Sequence, residues 1–269
     1  MVEVVAPYLR HLLAPNPGPM TLEGTNTWLV GDPGAGPVVV IDPGPNDIGH
    51  RARLLEAAPG GIAAVLLTHR HADHSAGAPA LAAAAVPGCP VRAVDPAYRL
   101  GGGALGDVAL GDGDQLETAG ARLQVVATPG HTADSCSVLV HGDDGVVRLL
   151  TGDTVLGRGT TVIAGPDGDL GAYLASLERL ARLTADENVS ELLPGHGPRI
   201  GDPAARLAAY RQHREERLDQ VRAALGQGAR TVQQVLDRVY GDLDATVRPA
   251  AEQSVRAQLR HLGAPLSED

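Results

Sequence analysis

The chain has 269 residues, of which 43% are hydrophobic and 20% charged, the proportions of an ordinary globular protein. That length suits one large domain, or one domain with a small appendage. The formal net charge of −10 gives no support to a non-specific nucleic-acid binder, and no apolar run approaches membrane-spanning length, so the sequence predicts no membrane partner.

The first predicted elements are a hairpin and a helix. Residues 25–30 and 38–42 have strand patterns separated by a loop rich in glycine and proline, and residues 47–58 follow as a helix. Asp42 ends the second strand beside Pro43. Two interpretations of Asp42 remain open: a carboxylate that accepts an N–H from a metal-binding histidine, or an Asx turn that caps the loop.

The next strand, 62–67, ends in a cluster of metal-binding residue types. His69, His71, Asp73 and His74 lie close together in the sequence, and imidazole and carboxylate groups are ligands of first-row metals. On an extended segment His69 and His71 should point the same way, whereas the adjacent Asp73 and His74 should point differently, which suits a second ion beside the first. The alternative is a solvated polar loop, which so dense a cluster after a buried strand disfavours.

After this cluster the sequence predicts an alanine-rich helix ending near residue 85 and a strand over 91–94. Residues 95–115 are rich in glycine and aspartate. Their spacing does not match the calcium-binding loop of an EF-hand, so we predict a turn between hairpin strands.

Three further strands each end at a histidine or aspartate beside glycine, which lets the backbone approach a shared site. They are 121–127 before His131, 146–151 before Asp153, and 189–193 before His196. Strand 136–141 and an amphipathic helix over 169–183 lie between them. Two series of strands with helices, and every candidate ligand at a strand end, predict an α/β fold. Two sheets would pack face to face with helices outside, an αβ/βα sandwich with the metals at one edge.

The sequence pattern changes at residue 203, where strand patterns give way to helical ones over 203–269. We therefore predict a catalytic domain over 1–202 and a C-terminal helical, winged-helix-like subdomain over 203–269. Three helices are predicted there: 203–225 after an Asp202 cap, a second from a Thr231 cap to residue 240, and a third over about 249–262.

Arginines on the third of these helices allow two interpretations. Arg248, Arg256 and Arg260 could contact nucleic acid or substrate, and a nucleic-acid-binding module without enzyme activity is the extreme form of that hypothesis. The alternative is a packing appendage with a solvated arginine face. We favour the appendage, because acidic residues interleave the arginines and the wing is nearly absent.

In order along the chain, the segments HxHxDH, PGHT, GDT and PGHGP resemble the metallo-β-lactamase superfamily. Residues 16–28 and 157–161, with the helical tail, are similar to its lactamase-beta-like protein 2 branch. That branch includes a mitochondrial endoribonuclease and many uncharacterised bacterial hydrolases. The resemblance covers nearly the whole chain and implies the metallo-β-lactamase sandwich.

Geometry and this resemblance together divide the candidate ligands into two sets. His69, His71 and His131 would hold one ion, Asp73, His74 and His196 the other, and Asp153 would bridge them. Such ligands favour two Zn²⁺ ions, with Mn²⁺ or Fe²⁺ as alternatives. Two ions about 3.5–4 Å apart would bind a bridging hydroxide that acts as the nucleophile of a hydrolase. We therefore predict an enzyme in which Asp73 and Asp153 are catalytic.

The resemblance favours a phosphodiester substrate, cleaved by a single-strand endoribonuclease. An acyl compound (a thioester, an ester or a β-lactam) is the alternative, because it would be attacked by the same nucleophile. No motif in the chain identifies the electrophile.

Two isolated cysteines, Cys89 and Cys136, do not make a disulfide framework, so both are predicted as free thiols. The N-terminus lacks a basic region followed by an apolar core. We therefore expect no secretory signal and a cytoplasmic location.

Overall fold

The computed structural model describes residues 2–85, 89–101, 108–241 and 243–264. In these ranges the strands form two sheets, and helices flank the sheets or follow them. The strands are β1 (Val2–Ala6), β2 (Leu9–Leu13), β3 (Asn26–Val30), β4 (Val38–Ile41), β5 (Ile62–Leu66), β6 (Val91–Arg92), β7 (Gln115–Thr118), β8 (Ala121–Ala127), β9 (Cys136–Gly142), β10 (Val147–Gly152) and β11 (Glu191–Pro194). The α-helices are α1 (Ile48–Ala57), α2 (Ala72–Ser75), α3 (Ala78–Ala85), α4 (Leu170–Asp186), α5 (Pro203–Gly226), α6 (Val232–Tyr240) and α7 (Arg248–His261), and Pro96–Tyr98 is a 3₁₀ turn.

The first sheet has the order β1-β2-β3-β4-β5-β6. Strands β1 to β4 pair antiparallel, whereas β4, β5 and β6 pair parallel. Parallel neighbours need a crossover connection, which α1 supplies between β4 and β5 and α2 with α3 supplies between β5 and β6. The predicted hairpin of β3 and β4 is confirmed, as is the helix after it, where the Asp47 side chain accepts a hydrogen bond from the His50 N–H at the N-terminus of α1.

The second sheet has the order β11-β10-β9-β8-β7. Strands β7 to β10 pair antiparallel, and β11 lies parallel to β10 after the crossover through α4. The strands predicted over 121–127, 136–141, 146–151 and 189–193 are therefore confirmed, with differences of one or two residues at their ends.

Both faces of each sheet carry apolar side chains, which the other sheet or the helices cover. Trp28 and Ile41 from the first sheet meet Leu123 and Val138 from the second in the layer between them. The outer face of the first sheet packs on α1 and α3, and the outer face of the second packs on α4 and the first half of α5. This arrangement is the predicted αβ/βα sandwich.

Strand direction brings the functional segments to one edge of the sandwich. Strands β8 and β10 both run antiparallel to β9, and β11 is parallel to β10, so three carboxyl ends of the second sheet point the same way. In the first sheet β4 and β5 are parallel, so their carboxyl ends also lie at one edge. The residues that follow these five strands are the predicted ligands and Asp42.

The C-terminal helices begin where the sequence places them. The Asp202 side chain accepts a hydrogen bond from the Ala205 N–H at 3.0 Å, and Thr231 Oγ1 accepts one from the Gln234 N–H at 3.2 Å. Leu207 at the start of α5 joins the core over α4, while the end of α5 packs in a separate small core with α6 and α7. Since α5 contributes to both cores, packing does not separate two domains at its start. The domain boundary between residues 202 and 203 therefore stays a prediction.

Some features differ from the sequence-based expectation. Strands β1, β2 and β7 were not predicted, and β6 is only two residues long. The prediction of a hairpin turn over 95–115 is wrong, because β6 and β7 belong to different sheets; Gly102 and Gly103 of that segment lie outside the described residues.

Both cysteines are buried and unpaired with each other, so the prediction of free thiols is confirmed. Among the described residues, no helix has the length and apolar character needed to cross a membrane.

Candidate metal centre

The loop after β5 carries four of the seven predicted ligands. His69 lies in the loop, and His71 occupies the N-cap position of α2. Helix α2 is a single turn that carries Asp73 and His74. The Ser75 hydroxyl donates a hydrogen bond to the Arg70 carbonyl at 2.9 Å, which closes the loop on itself.

His69, His71 and His131 form the first group of converging side chains. His71 Nδ1 lies 3.1 Å from His69 Nε2 and 3.0 Å from His131 Nε2. Tetrahedral Zn–N bonds of about 2.1 Å would hold two ligand nitrogens roughly 3.4 Å apart. The observed spacing is close to this value, although His131 reaches the group from the other sheet.

Asp73, His74 and His196 form the second group. His196 Nε2 lies 3.1 Å from both His74 Nε2 and Asp73 Oδ2. Asp73 Oδ2 and His74 Nε2 are 3.6 Å apart, so their ligand atoms converge although the two residues are adjacent in the sequence. The expectation that Asp73 and His74 point differently is therefore wrong at the level of the ligand atoms.

Asp153 lies between the two groups at the end of β10. Its Oδ1 is 3.4 Å from His74 Nε2, and its Oδ2 is 3.5 Å from His196 Nε2 and 3.8 Å from His131 Nε2. Within the described residues, Oδ1 is buried and accepts no well-formed hydrogen bond. A buried carboxylate oxygen without a donor is costly, and a cation is a partner that would satisfy it.

Glycine makes this close approach of the strand ends sterically feasible. A Cβ at residue 195 would lie 2.5 Å from Asp153 Oδ1 and 2.8 Å from His74 Cε1. At Gly130, where φ is +136°, a Cβ would lie 2.3 Å from the Tyr173 Cα. The glycine before His196 and the glycine before His131 are therefore required by packing against the site and against α4.

Asp42 orients His74 from behind. Its Oδ2 lies 2.8 Å from His74 Nδ1, and its oxygens accept hydrogen bonds from the N–H and the hydroxyl of Thr68 at 2.8 and 2.6 Å. Asp42 also lies near His69, but its oxygens are occupied by these donors. Of the two interpretations of Asp42, the carboxylate that fixes a histidine is the one the structure contains.

Backbone carbonyls fix two more imidazole rings. His131 Nδ1 donates to the Val162 carbonyl at 2.9 Å, and His196 Nδ1 donates to the Gly24 carbonyl at 3.1 Å. These bonds place the proton on Nδ1 and leave Nε2 of each ring as the atom that faces the cluster. Sequence reasoning missed Gly24, which has no metal-binding side chain to reveal it.

The two groups differ in electrostatic environment. Burial, together with the neighbouring imidazoles, holds the pKa of His69 well below its ordinary value and also lowers the pKa of His71. Burial acts in the same direction on His74 and His196, but carboxylates outweigh it. Asp153 and Asp42 raise the pKa of His74 well above its ordinary value, and Asp153 with Asp73 raises the pKa of His196 to about 9.

The carboxylates themselves are held as anions. Burial alone would raise the pKa of Asp153, but His74 and His196 together lower it well below its ordinary value, and the pKa of Asp73 is lowered by His196 and His74. The same field that draws protons onto imidazoles would attract divalent cations. The donor set, its spacing and the buried Asp153 oxygen without a well-formed hydrogen bond therefore fit a pair of metal ions.

The structure brings all seven predicted residues together, and their role as metal ligands stays a prediction. One triad is His69, His71 and His131, another is Asp73, His74 and His196, and each has ligand atoms within 4.8 Å of one another. Nitrogen and carboxylate ligands without a thiolate suit Zn²⁺ and also Mn²⁺ or Fe²⁺.

A cavity of about 300 Å³ opens beside this cluster. His131 and Asp153 line it, as do segments around Met20 and residues 156–162. Side chains of α5, α6 and α7 complete the lining. The sequence offered substrate contact by the third helix only as the less favoured interpretation, and through arginines that do not line the cavity, because nothing in the helical pattern gives its position relative to the strand ends.

Comparison with protein families gives two matches. The family model described as the metallo-beta-lactamase superfamily matches residues 20–196. A second model, described as the beta-lactamase associated winged helix domain, matches residues 231–264. The two matches cover the segment with all seven converging residues and the segment of α6 and α7.

Several relatives are similar in sequence along most of this chain. The "Lactamase-like protein adaB" of Aspergillus niger is 35% identical over 93% of this chain and 78% of its own length. The "Beta-lactamase-like protein 2 homolog" of Caenorhabditis elegans is 31% identical over 97% of this chain and 86% of that protein. The "Atrochrysone carboxyl ACP thioesterase" of Aspergillus chevalieri is 33% identical over 93% of this chain and 79% of that protein.

Solved structures have the same fold. A beta-lactamase domain protein from Burkholderia ambifaria superposes with a TM-score of 0.77, at 24% identity, over 97% of this chain and 87% of that protein. At this level of identity the likeness concerns the fold alone.

Proposed function

The chain belongs to the metallo-beta-lactamase superfamily, whose members are typically hydrolases, and from this premise we propose that it is a hydrolase with two metal ions. The proposed ligands are the two triads described above, with Asp153 shared between them. The observation that carries the proposal is the position of Asp153, since its two oxygens face both triads and one of them is buried without a well-formed hydrogen bond.

The residues of the chain have distinct roles in this proposal. The His69 and His71 imidazoles, held neutral by burial, would bind one ion with His131, while Asp73 and Asp153 supply negative charge to the other. When bound, such ions lower the pKa of water to near neutrality and polarise the scissile group. Asp42 and the carbonyls of Val162 and Gly24 keep the rings aligned.

We propose an acyl compound, in particular a thioester, as the substrate class. The cavity beside the cluster is lined mainly by carbon, with Met20, Leu22 and Leu156 on the catalytic side. Pockets that bind small molecules are typically lined in this way, with a few polar groups to orient the ligand. The thioesterase name of one relative supports this choice.

Single-stranded RNA is the second candidate. The arginines at the cavity, Arg158, Arg214 and Arg217, favour it, as does the resemblance of the sequence to the lactamase-beta-like protein 2 branch. However, Arg158 already contacts Glu23 Oε1 at 2.7 Å, and the chain has no Phe and only five Tyr with which to stack bases. We therefore place RNA after the acyl compound.

A side-by-side assay tests the proposal. We expect the purified chain to contain two equivalents of metal, to hydrolyse an acyl thioester faster than a single-stranded oligoribonucleotide or a chromogenic lactam, and to lose activity with a chelator. Activity that returns with Zn²⁺ or Mn²⁺ would support the two-metal site. Full turnover in a metal-free sample would contradict it, and cleavage of RNA alone would replace the acyl substrate with the second candidate.

A further inference from the structure

One side of the cavity comes from the C-terminal helices. Helix α7 contributes Ala250, Ala251 and Ser254, and Val247 lies just before it. These positions follow the spacing of three and four residues that places side chains on one face of a helix. A single face of α7, continued by Val247, therefore lines the cavity that contains His131 and Asp153.

This α7 face presents mainly carbon to the cavity. Ser254 is its polar member, but its hydroxyl donates to the Ala250 carbonyl of the same helix at 3.0 Å. None of the three α7 arginines lines this cavity: Arg248 pairs with Asp237, Arg256 pairs with Glu252, and Arg260 lines a different pocket. Leu243, before the helix, adds to the same apolar lining.

Two large apolar side chains at this cavity are exposed. Met20 is 54% exposed and Val247 is 37% exposed, and both are among the lining residues. They come from segments more than two hundred positions apart in the chain, yet they adjoin the same cavity. Exposed apolar groups that meet at a pocket indicate a ligand with an apolar part.

We propose that the α7 face binds the apolar acyl chain of the substrate, and that Ala250 sets how much of that chain the cavity accepts. The proposal rests on the acyl-substrate function above and extends it to chain length. Ala250 is half-buried and small, so a larger side chain there would occupy the cavity and not the helical core. The catalytic strand ends would then act on the carbonyl while α7 selects the chain attached to it.

Burial of methylene groups gives the expected size of the effect. Each methylene removed from water contributes about fourfold in affinity. If α7 buries several methylenes, a decanoyl chain should be preferred strongly over an acetyl group, and the preference should fall when the α7 face is changed.

The test compares Ala250→Phe with a control on the same helix. Gln253 is absent from the cavity lining, so Gln253→Phe adds the same bulk to α7 outside the cavity. Acetyl and decanoyl thioesters of N-acetylcysteamine serve as substrates for the metal-loaded chain. We expect Ala250→Phe to lower kcat/KM for the decanoyl substrate by at least about tenfold while the acetyl substrate changes by less than about twofold. Gln253→Phe should change neither.

A binding measurement separates this inference from the proposed function. The decyl thioether of N-acetylcysteamine cannot be hydrolysed, so calorimetric titration into the metal-loaded chain reports binding without turnover. Wild-type binding that Ala250→Phe abolishes supports the acyl-binding face even if no thioester is turned over. Equal binding by both proteins overturns it, even if thioesters are hydrolysed.

A second variant guards against a folding defect. Val247→Asp places a charge on an exposed position of the same face and should fold, because Val247 is not part of the helical core. We expect the same loss of decyl thioether binding with a thermal unfolding midpoint that does not fall, because Asp is a favoured residue at the N-cap position that Val247 occupies in α7. Retained binding in this folded variant would also overturn the proposal.

Discussion

The two sides of the cavity are built in opposite ways. On the strand side, charged and polar groups are buried: His69, His74 and His196 are at most 1% exposed, and hydrogen bonds fix their rings. On the helical side, the α7 face exposes apolar groups such as Val247 that make few directed contacts, while the basic groups of the lining come from α5. A buried polar cluster must be ordered before substrate arrives, whereas an apolar surface can accept chains of several lengths.

This difference indicates a division of work in the molecule. Changes on the strand side should lower the turnover of every substrate by a similar factor, because they alter the common chemistry. Changes on the helical side should act on some substrates and not on others. Each prediction below tests one part of that contrast.

The largest effect is expected from Asp153→Asn. The substitution keeps the shape of the side chain but removes the negative charge that faces both triads. We expect kcat/KM to fall by roughly 1,000-fold for all substrates, and bound metal to fall below two equivalents, because a shared ligand serves both ions. Metal analysis and steady-state kinetics on the acetyl and decanoyl thioesters measure this. A loss confined to one substrate would contradict the division between the two sides.

Asp73→Asn should have a smaller and more local effect. Asp73 contacts His196 and His74 and lies in only one triad, so we expect one equivalent of metal to remain bound. Activity should fall by roughly 100-fold, since a ligand contributes at least as much as the groups behind it. Mass spectrometry under native conditions gives the stoichiometry, and urea unfolding checks the fold. Two tightly bound metals in this variant would remove Asp73 from the proposed ligands.

Asp42→Asn should act on metal affinity through His74. Asparagine replaces one carboxylate oxygen with an amide nitrogen that cannot accept, so the side chain no longer accepts all three hydrogen bonds from Thr68 and His74 and holds the ring less firmly. We expect metal to bind about 10- to 100-fold more weakly, measured by competition with a chelator of known affinity. Asp47→Asn, at the start of α1, is the matched control and should leave metal affinity unchanged.

Sequence reasoning succeeded where the signal is local. A buried strand that ends in a histidine or an aspartate can be recognised locally, and four such segments contain all the converging side chains. Parallel crossover rules then place their ends at a common edge. Four of the five strands of the second sheet, the longer helices and the caps of α5 and α6 follow from periodicity and capping residues.

The features that the sequence did not predict depend on strand pairing or packing between distant parts of the chain. Strand β7 alternates between exposed and half-buried residues, so no apolar pattern marks it, and β1 is exposed over its first three residues. The role of Gly24 depends on a backbone carbonyl, which every residue has. The contribution of α7 to the cavity depends on how α5 packs on α4, which no segment of α7 encodes by itself.

The smallest effect is expected from the double substitution Arg248→Ala and Arg256→Ala. Both guanidinium groups are already paired on the surface, with Asp237 and Glu252, and such exposed pairs contribute little to stability. We expect kcat/KM for both thioesters to stay within about twofold, and the binding of a single-stranded oligoribonucleotide to stay the same. Fluorescence anisotropy at two salt concentrations measures that binding, because phosphate contacts would appear as a salt dependence. Weaker RNA binding with intact thioester turnover would mean that α7 also presents a nucleic-acid surface, and the helical side would then select more than acyl chains.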